Sequence, residues 1–243
     1  MEQLYHIAGL TVKMDCHGRT EEQARPYLCT ENKAADIVMA AEDIRLSMEK
    51  WKTRHPQIDD DLCEYLVGGF TFYRHLMDFD GLMLHSSAVV VDGRAYVFTA
   101  ACGTGKSTHT GLWLKHFGDR AFILNDDKPA LRLEDGVWYA YGTPWSGKHD
   151  ISQNVRVPLA GIAVLERGEK NEIEPFAGIP AIQFILRQVN RPSAAAYRIK
   201  LMNLMDKLIT GVPVWKLRCN MDPQAVKVSY EAMSGKKLEK QGE

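Results

Sequence analysis

The 243-residue sequence predicts an α/β protein tending to α+β: a mixed β-sheet with flanking helices, preceded by a small region with strands of its own. Three observations predict it. From residue 82 onward the apolar runs are short and β-rich, at 82–91, 94–98, 121–124, 130–133, 137–141 and 159–166. Asp92-Gly93 and Asp135-Gly136 separate neighbouring runs and are strong hairpin signals. One helical segment clearly interrupts the series, after a glycine-rich turn, so the sheet reads as mixed rather than purely parallel.

Taken in order, the first 55 residues carry strand-like pieces at 5–14 and 35–40, with polar, turn-rich sequence between them. Asp59-Asp60-Asp61 opens a helical pattern in which Leu62, Leu66, Phe70, Tyr73 and Leu76 recur at intervals of four and three. The acidic first turn complements the helix dipole. Gly68-Gly69 inside this pattern either kinks the helix or admits close packing. Residues 107–117 read as a helix closed by Gly118, with Leu112, Trp113, Leu114 and Phe117 packing it on the sheet. Residues 177–211 read mainly as helix with a break at Arg191-Pro192, 212–217 as a short strand, and 222–233 as a closing helix started by Asp222-Pro223.

Composition excludes several classes. A net charge of −1 gives no basic field for nucleic acid or a membrane surface, and the mixed-sign 236–243 stretch reads as a solvated tail. Five scattered cysteines (Cys16, Cys29, Cys63, Cys102, Cys219) contain no C-x-x-C pair, which fits a reducing cytoplasm. The first residues lack a basic, then apolar, leader, and no window approaches 18 apolar residues, so neither export nor a membrane span is expected.

The chemistry concentrates in residues 99–108, Thr-Ala-Ala-Cys-Gly-Thr-Gly-Lys-Ser-Thr, between a strand-like run and a helix. This is the context of a phosphate-binding Walker A loop, whose backbone N–H groups and helix N-terminus cradle anions. Gly103 and Gly105 supply permissive backbone, Lys106 reaches phosphates, and the Ser107 hydroxyl suits Mg²⁺. Ala100 stands where the pattern has its first glycine. Cys102 reads as filler or as a redox-sensitive thiol. Asn125-Asp126-Asp127 follows the next strand, with Asp126 twenty residues after Lys106. A crossover over one helix would bring this tip beside the loop. Two acids there suit a Mg²⁺-nucleotide, one for the metal or its water and one for a proton; a plain polar turn is the alternative.

The run 85–93 (His-Ser-Ser-Ala-Val-Val-Val-Asp-Gly), the loop and the Asp pair together resemble the catalytic domain of HPr kinase/phosphorylase and its relatives. That group shares its nucleotide core with phosphoenolpyruvate carboxykinases. The resemblance covers residues 82–166, and Tyr-Gly-Thr-Pro-Trp-Ser-Gly-Lys at 141–148 is similar to the Pro-Trp-Ser-Gly segment of HPr-kinase-related proteins. It implies a P-loop core of that type over 81–235, following a small N-terminal α/β region at 1–80. It implies ATP and Mg²⁺ as cofactors and a hydroxyl-bearing acceptor on a protein, peptide or small molecule. Asp126 would be the base, Lys106 would bind phosphates and His85 would sit near the transferred group, with a structural histidine as the alternative. Ser107 and Asp127 would hold the metal. Cys102, Gly103, Thr104, Gly105, Lys106, Ser107 and Thr108 would line the nucleotide site. Lys148 is a second cation for phosphates or acceptor, or an exposed loop lysine. Lys128 neutralises local charge. Relatives often form rings, so a homo-oligomer is implied. A non-catalytic ATP-binding regulator is the reading from another class. The Glu-Xaa-Arg-Gly signature of true HPr kinases is absent; the nearest string is Leu165-Glu166-Arg167-Gly168.

Overall fold

A computed structural model describes residues 2–31 and 33–238. Strands β1 (Gln3–Ile7) and β2 (Leu10–Met14) form a hairpin, followed by α1 (Gly18–Ala24). Strand β3 (Ile37–Met39) joins β2 in parallel, and α2 (Ala41–Arg54) and α3 (Asp60–Leu76) pack beside them. The piece expected at 5–14 is therefore two strands. Ala8 (φ 51°) and Gly9 (φ 77°) both take left-handed backbone and close a tight reversal. Helix α1 stands in the stretch read as turn-rich, and α2 covers residues given no element by the sequence reading. Helix α2 buries Ile44, packs Met48 and Trp51 partly buried against the same core, and pairs Arg45 with Glu42 and Glu49 on its exposed face.

Helix α3 begins where the acids predict, with the Asp59 carboxylate accepting from the Leu62 N–H at 2.7 Å. Gly68-Gly69 serves close packing, and the helix runs through it unbroken. The Trp145 ring lies on this spot: a β-carbon at Gly69 would sit 2.9 Å from its Cδ1. Phe72 stacks on the same ring at 5.0 Å. Gly69→Ala should therefore destabilise the chain by about 1–3 kcal/mol through overpacking. Urea denaturation checks this, and adding Trp145→Phe should recover part of the loss.

The second sheet starts with β4 (Gly81–Met83), β5 (Ser86–Val91) and β6 (Arg94–Thr99), then α4 (Lys106–Phe117) and β7 (Ala121–Asp127). It continues with β8 (Ala130–Glu134), β9 (Val137–Tyr141), β10 (Arg156–Arg167) and β11 (Glu172–Pro175). Helices α5 (Gly178–Gln188) and α6 (Ala195–Gly211), strand β12 (Val214–Cys219) and helix α7 (Gln224–Ser234) complete it. Among the described residues this sheet has nine strands and is mixed, as expected. Both Asp-Gly pairs close hairpins with left-handed φ at each residue. The run expected at 82–91 divides: β4 pairs with β8, whereas β5 pairs with β6 and β7.

From its β7 edge the sheet reads β7–β5–β6–β10, and the later half of β10 pairs with β12. Strand β5 is antiparallel to both β6 and β7, and β6, β10 and β12 are parallel. The carboxyl ends of β6, β7, β10 and β12 and the start of β5 therefore share one edge of the sheet.

Helix α4 lies on this sheet through Trp113 and Phe117, both in one core cluster with Phe98 and Tyr230. His109, 3 % exposed, accepts from the Trp113 indole N–H at 3.1 Å, and burial pushes its pKa down to about 4. Its unfolded value is near 6.5, so falling pH protonates the unfolded chain first. This contribution is complete above about pH 6.5 and is lost between roughly 6.5 and 4, by up to about 3 kcal/mol. Denaturation midpoints at pH 7 and 5 measure it, and His109→Gln should flatten the difference.

Leu238 packs against the same cluster, and its N–H donates to Glu231 at 3.0 Å. The expected solvated tail thus begins against α7 because Leu238 has a core to meet; residues 239–243 lie outside the described residues. Among the described residues no helix is long and apolar enough to cross a membrane. All five cysteines are free.

Candidate functional site

The turn between β6 and α4 is open on its outer side. Gly103 (φ 74°) and Gly105 (φ 120°) both have positive φ, and a β-carbon at Gly103 would meet nothing within 4 Å. Helix α4 has no side-chain cap and no acid in its first turn, so its first N–H donors are left for an anion. Ala100 needs no glycine: it is absent from the positive-φ positions, and its methyl is fully buried beside Phe98 and Trp113. Cys102 and Thr108 are exposed at the mouth and Thr104 is half-buried there. Arg167 holds the turn from behind, donating to the carbonyls of Gly103 at 2.7 Å and Thr104 at 3.3 Å.

Register brings the other groups to this turn. Ser86 of β5 lies opposite Thr99 of β6 on one side and Asp127 of β7 on the other. The crossover from β6 through α4 to β7 steps over β5, and the Asp pair still arrives beside the loop. Asp126, 7 % exposed, has both carboxylate oxygens within 2.9 and 3.0 Å of the Ser107 hydroxyl. Asp127 turns elsewhere. Its φ of 106° breaks the strand's alternation, and its carboxylate meets His85 Nε2 at 2.9 Å and the Lys128 ammonium.

His85 stands in the break between β4 and β5, outside either strand, because Leu84 bridges to Val189 and the His85 N–H donates to the Gln188 carbonyl at 2.8 Å. Gln188 Oε1 lies 3.2 Å from its Nδ1, and Lys106 Nζ lies 3.2 Å from its Nε2. Nε2 can donate to Asp127 or accept from Lys106, one at a time. Burial pushes the Asp127 carboxyl up, but the hydrogen bond from His85 and the Lys128 ammonium outweigh it and hold the carboxyl well below the usual carboxylate range.

Asn125, on the opposite strand face, is a staple for the 143–152 segment. Its amide donates to the carbonyls of Thr143 and Trp145, both at 3.1 Å, and its oxygen accepts from the Lys128 N–H at 2.8 Å. The Gly147 N–H then donates to the Asp126 carbonyl at 2.7 Å. Arg19 of α1 clamps this turn, donating to Gly147 O at 3.0 Å and pairing with Asp150 at 2.6 Å. Lys148 is exposed on the turn and makes no hydrogen bond or ion pair among the described residues. Ser107 and Asp126 are thus brought together, as are Lys106, His85 and Asp127; Lys148 joins neither group. Arg167 stands out in the sequence only within the Leu165-Glu166-Arg167-Gly168 string, and Gln188 and Arg19 carry no motif.

A family described as SynChlorMet cassette protein ScmC matches residues 62–225, two thirds of the chain. The chain belongs to this family. The ScmC match takes in the loop, His85, the Asp pair, the 144–148 segment, Arg167 and Gln188, whereas Arg19 and the β1–β3 sheet precede it. No curated protein matches. Among solved structures, the HPr(Ser) kinase/phosphatase from Coxiella burnetii is weakly similar. It is 14% identical with a TM-score of 0.36, covering 63% of this chain and 95% of that chain.

Proposed function

We propose that this ScmC-family chain is an ATP-dependent phosphotransferase that moves the γ-phosphoryl group to a Ser or Thr hydroxyl of a protein or peptide. The observation that supports this reading is the convergence of an uncapped helix start, Lys106, Ser107, His85, Asp126 and Asp127 at one sheet edge. Among the described residues no three His, Cys, Asp or Glu side chains converge as a stand-alone metal centre. Two hard oxygen donors, Ser107 Oγ and Asp126, instead fit a Mg²⁺ ion carried in on phosphates.

In this reading the two carboxylates exchange the roles expected from the sequence, because Asp126 is the one that shares Ser107. Ser107 and Asp126 hold the metal, which when bound offsets charge on the phosphates. Lys106 leaves His85 for the γ-phosphoryl oxygens and stabilises the charge that develops there. Asp127, the more exposed carboxylate and one held ionised, orients the acceptor hydroxyl and takes its proton. His85 fixes the Asp127 carboxylate through Nε2.

Incubation with Mg·ATP and Ser- or Thr-bearing peptides tests the reading by transfer of the labelled γ-phosphoryl group. Transfer that survives both Lys106→Ala and Asp127→Ala contradicts it. The clamp on the 147–150 turn gives a further expectation. Arg19→Ala should lower kcat about tenfold by loosening the turn that packs on the Asp pair, with ATP affinity unchanged; steady-state kinetics with a direct ATP titration separates the two.

A further inference from the structure

Residues 175–205, which carry α5 and most of α6, contain no Asp or Glu and four cations, Arg187, Arg191, Arg198 and Lys200, in a chain of net charge −1. Lys200 is committed to Asp78, which also accepts from the Tyr197 hydroxyl at 2.9 Å. The three arginines are exposed, and their side chains make no hydrogen bond or ion pair among the described residues. The same two helices are apolar outside as well as inside. They bury Ile185, Leu201 and Leu204 in one core cluster. Yet Ile179, 70 % exposed, and Ile182 stand three apart on α5, and Ile199, 64 % exposed, and Met202 stand three apart on α6. Residues three apart share a helix face, so each helix leaves an apolar ridge unpartnered. Single exposed apolar side chains are ordinary, but ridges on two adjoining helices mark a contact surface.

The place of this surface decides what docks on it. Gln188, the last residue of α5, accepts the His85 N–H at its carbonyl, and Val189 bridges Leu84. His85 Nε2 in turn meets Asp127 at 2.9 Å. The end of α5 therefore borders the carboxylate that addresses the acceptor hydroxyl. From Ile182 to Gln188 the helix rises about 9 Å, which an extended chain covers in about three residues. Charge and symmetry narrow the occupant. Unpaired guanidinium groups attract carboxylates. A second copy in an isologous contact would set these arginines against their equals. A membrane surface would cover the ridges but bring no Ser or Thr to Asp127.

Resting on the phosphotransferase reading, we infer that α5 and α6 dock the acceptor through a segment that carries Asp or Glu beside apolar side chains. The acceptor is then an acidic, apolar-anchored polypeptide with its Ser or Thr a few residues from the anchor, and not a small hydroxyl compound.

Two pools of Ser-bearing peptides with the same apolar positions, one Glu-rich and one Lys-rich, test this against the full chain. Fluorescence anisotropy should show the Glu-rich pool binding at least about tenfold tighter, with the preference falling as salt rises. Arg191→Glu/Arg198→Glu should erase or reverse that preference. Ile199→Ser should weaken Glu-rich binding about threefold or more, with ATP affinity within about twofold of wild type in both variants. Equal binding of the two pools by the wild-type chain, or a Glu preference that both variants keep, overturns the docking surface and leaves the phosphotransferase reading standing. Sedimentation with phosphatidylserine vesicles and no peptide preference overturns it in favour of a lipid contact. A Glu preference that the double variant abolishes, with no phosphopeptide formed from Mg·ATP, supports the docking surface and contradicts the phosphotransferase reading.

Discussion

Lys106→Ala should reduce phosphoryl transfer by about 10³-fold in kcat, the scale on which one charge-stabilising donor acts in such transition states. The side chain is half-buried at the start of α4, and its polar contact is His85 Nε2 at 3.2 Å. That contact is replaceable: phosphate oxygens are better partners for an ammonium than an imidazole nitrogen that Asp127 also addresses at 2.9 Å. The loss should appear in kcat, because the charge Lys106 meets grows as the bond to the leaving oxygen breaks. Folding should be unaffected, since the core contacts of α4 come from His109, Trp113 and Phe117. Rapid-quench measurement of transfer at saturating Mg·ATP checks the magnitude, and Lys106→Arg should recover only part of it.

Asp127→Asn and Asp126→Asn should fail in different ways. Asp127→Asn keeps the shape but removes the proton acceptor, so kcat should fall by about 10²–10⁴-fold with the Mg²⁺ requirement unchanged. Asp126→Asn removes charge from the carboxylate that faces Ser107 at 2.9 and 3.0 Å, so it should raise the Mg²⁺ concentration needed for half-maximal rate. Titrating Mg²⁺ against rate for both variants separates the roles. A raised Mg²⁺ requirement in Asp127→Asn, with Asp126→Asn losing kcat alone, would restore the assignment expected from the sequence.

The sheet was largely legible because its signals are local. Two Asp-Gly pairs close two hairpins, and short β-rich runs match β6 to β10 within a few residues. The first reversal was not legible, since Ala8 takes a left-handed turn that alanine does not advertise. Helix α2 was missed although Ile44, Met48 and Trp51 stand at helical spacing: only Ile44 is fully buried, and the other two are partly buried against the core amid charged neighbours. Within the site, the loop and Asp pair follow from spacing because one crossover joins them. Arg167, Gln188 and Arg19 do not, because they reach their partners across 64, 103 and 128 residues. Such pairings depend on how β10, α5 and α1 pack, which no local pattern encodes. Which carboxylate faces Ser107 also lay beyond spacing: β7 shifts register against β5 between Ile123 and Asn125 and takes a positive φ at Asp127.

Formation of ADP from Mg·ATP by the wild-type chain, Lys106→Ala and Asp127→Asn, followed with a Ser/Thr peptide pool present, addresses the phosphotransferase assignment most directly. ADP should form together with phosphopeptide in the wild type, and both products should be lost in each variant. ATP bound tightly by the wild type, with ADP formation absent or equal in all three proteins, would contradict it and identify the site as a nucleotide-binding site without transfer.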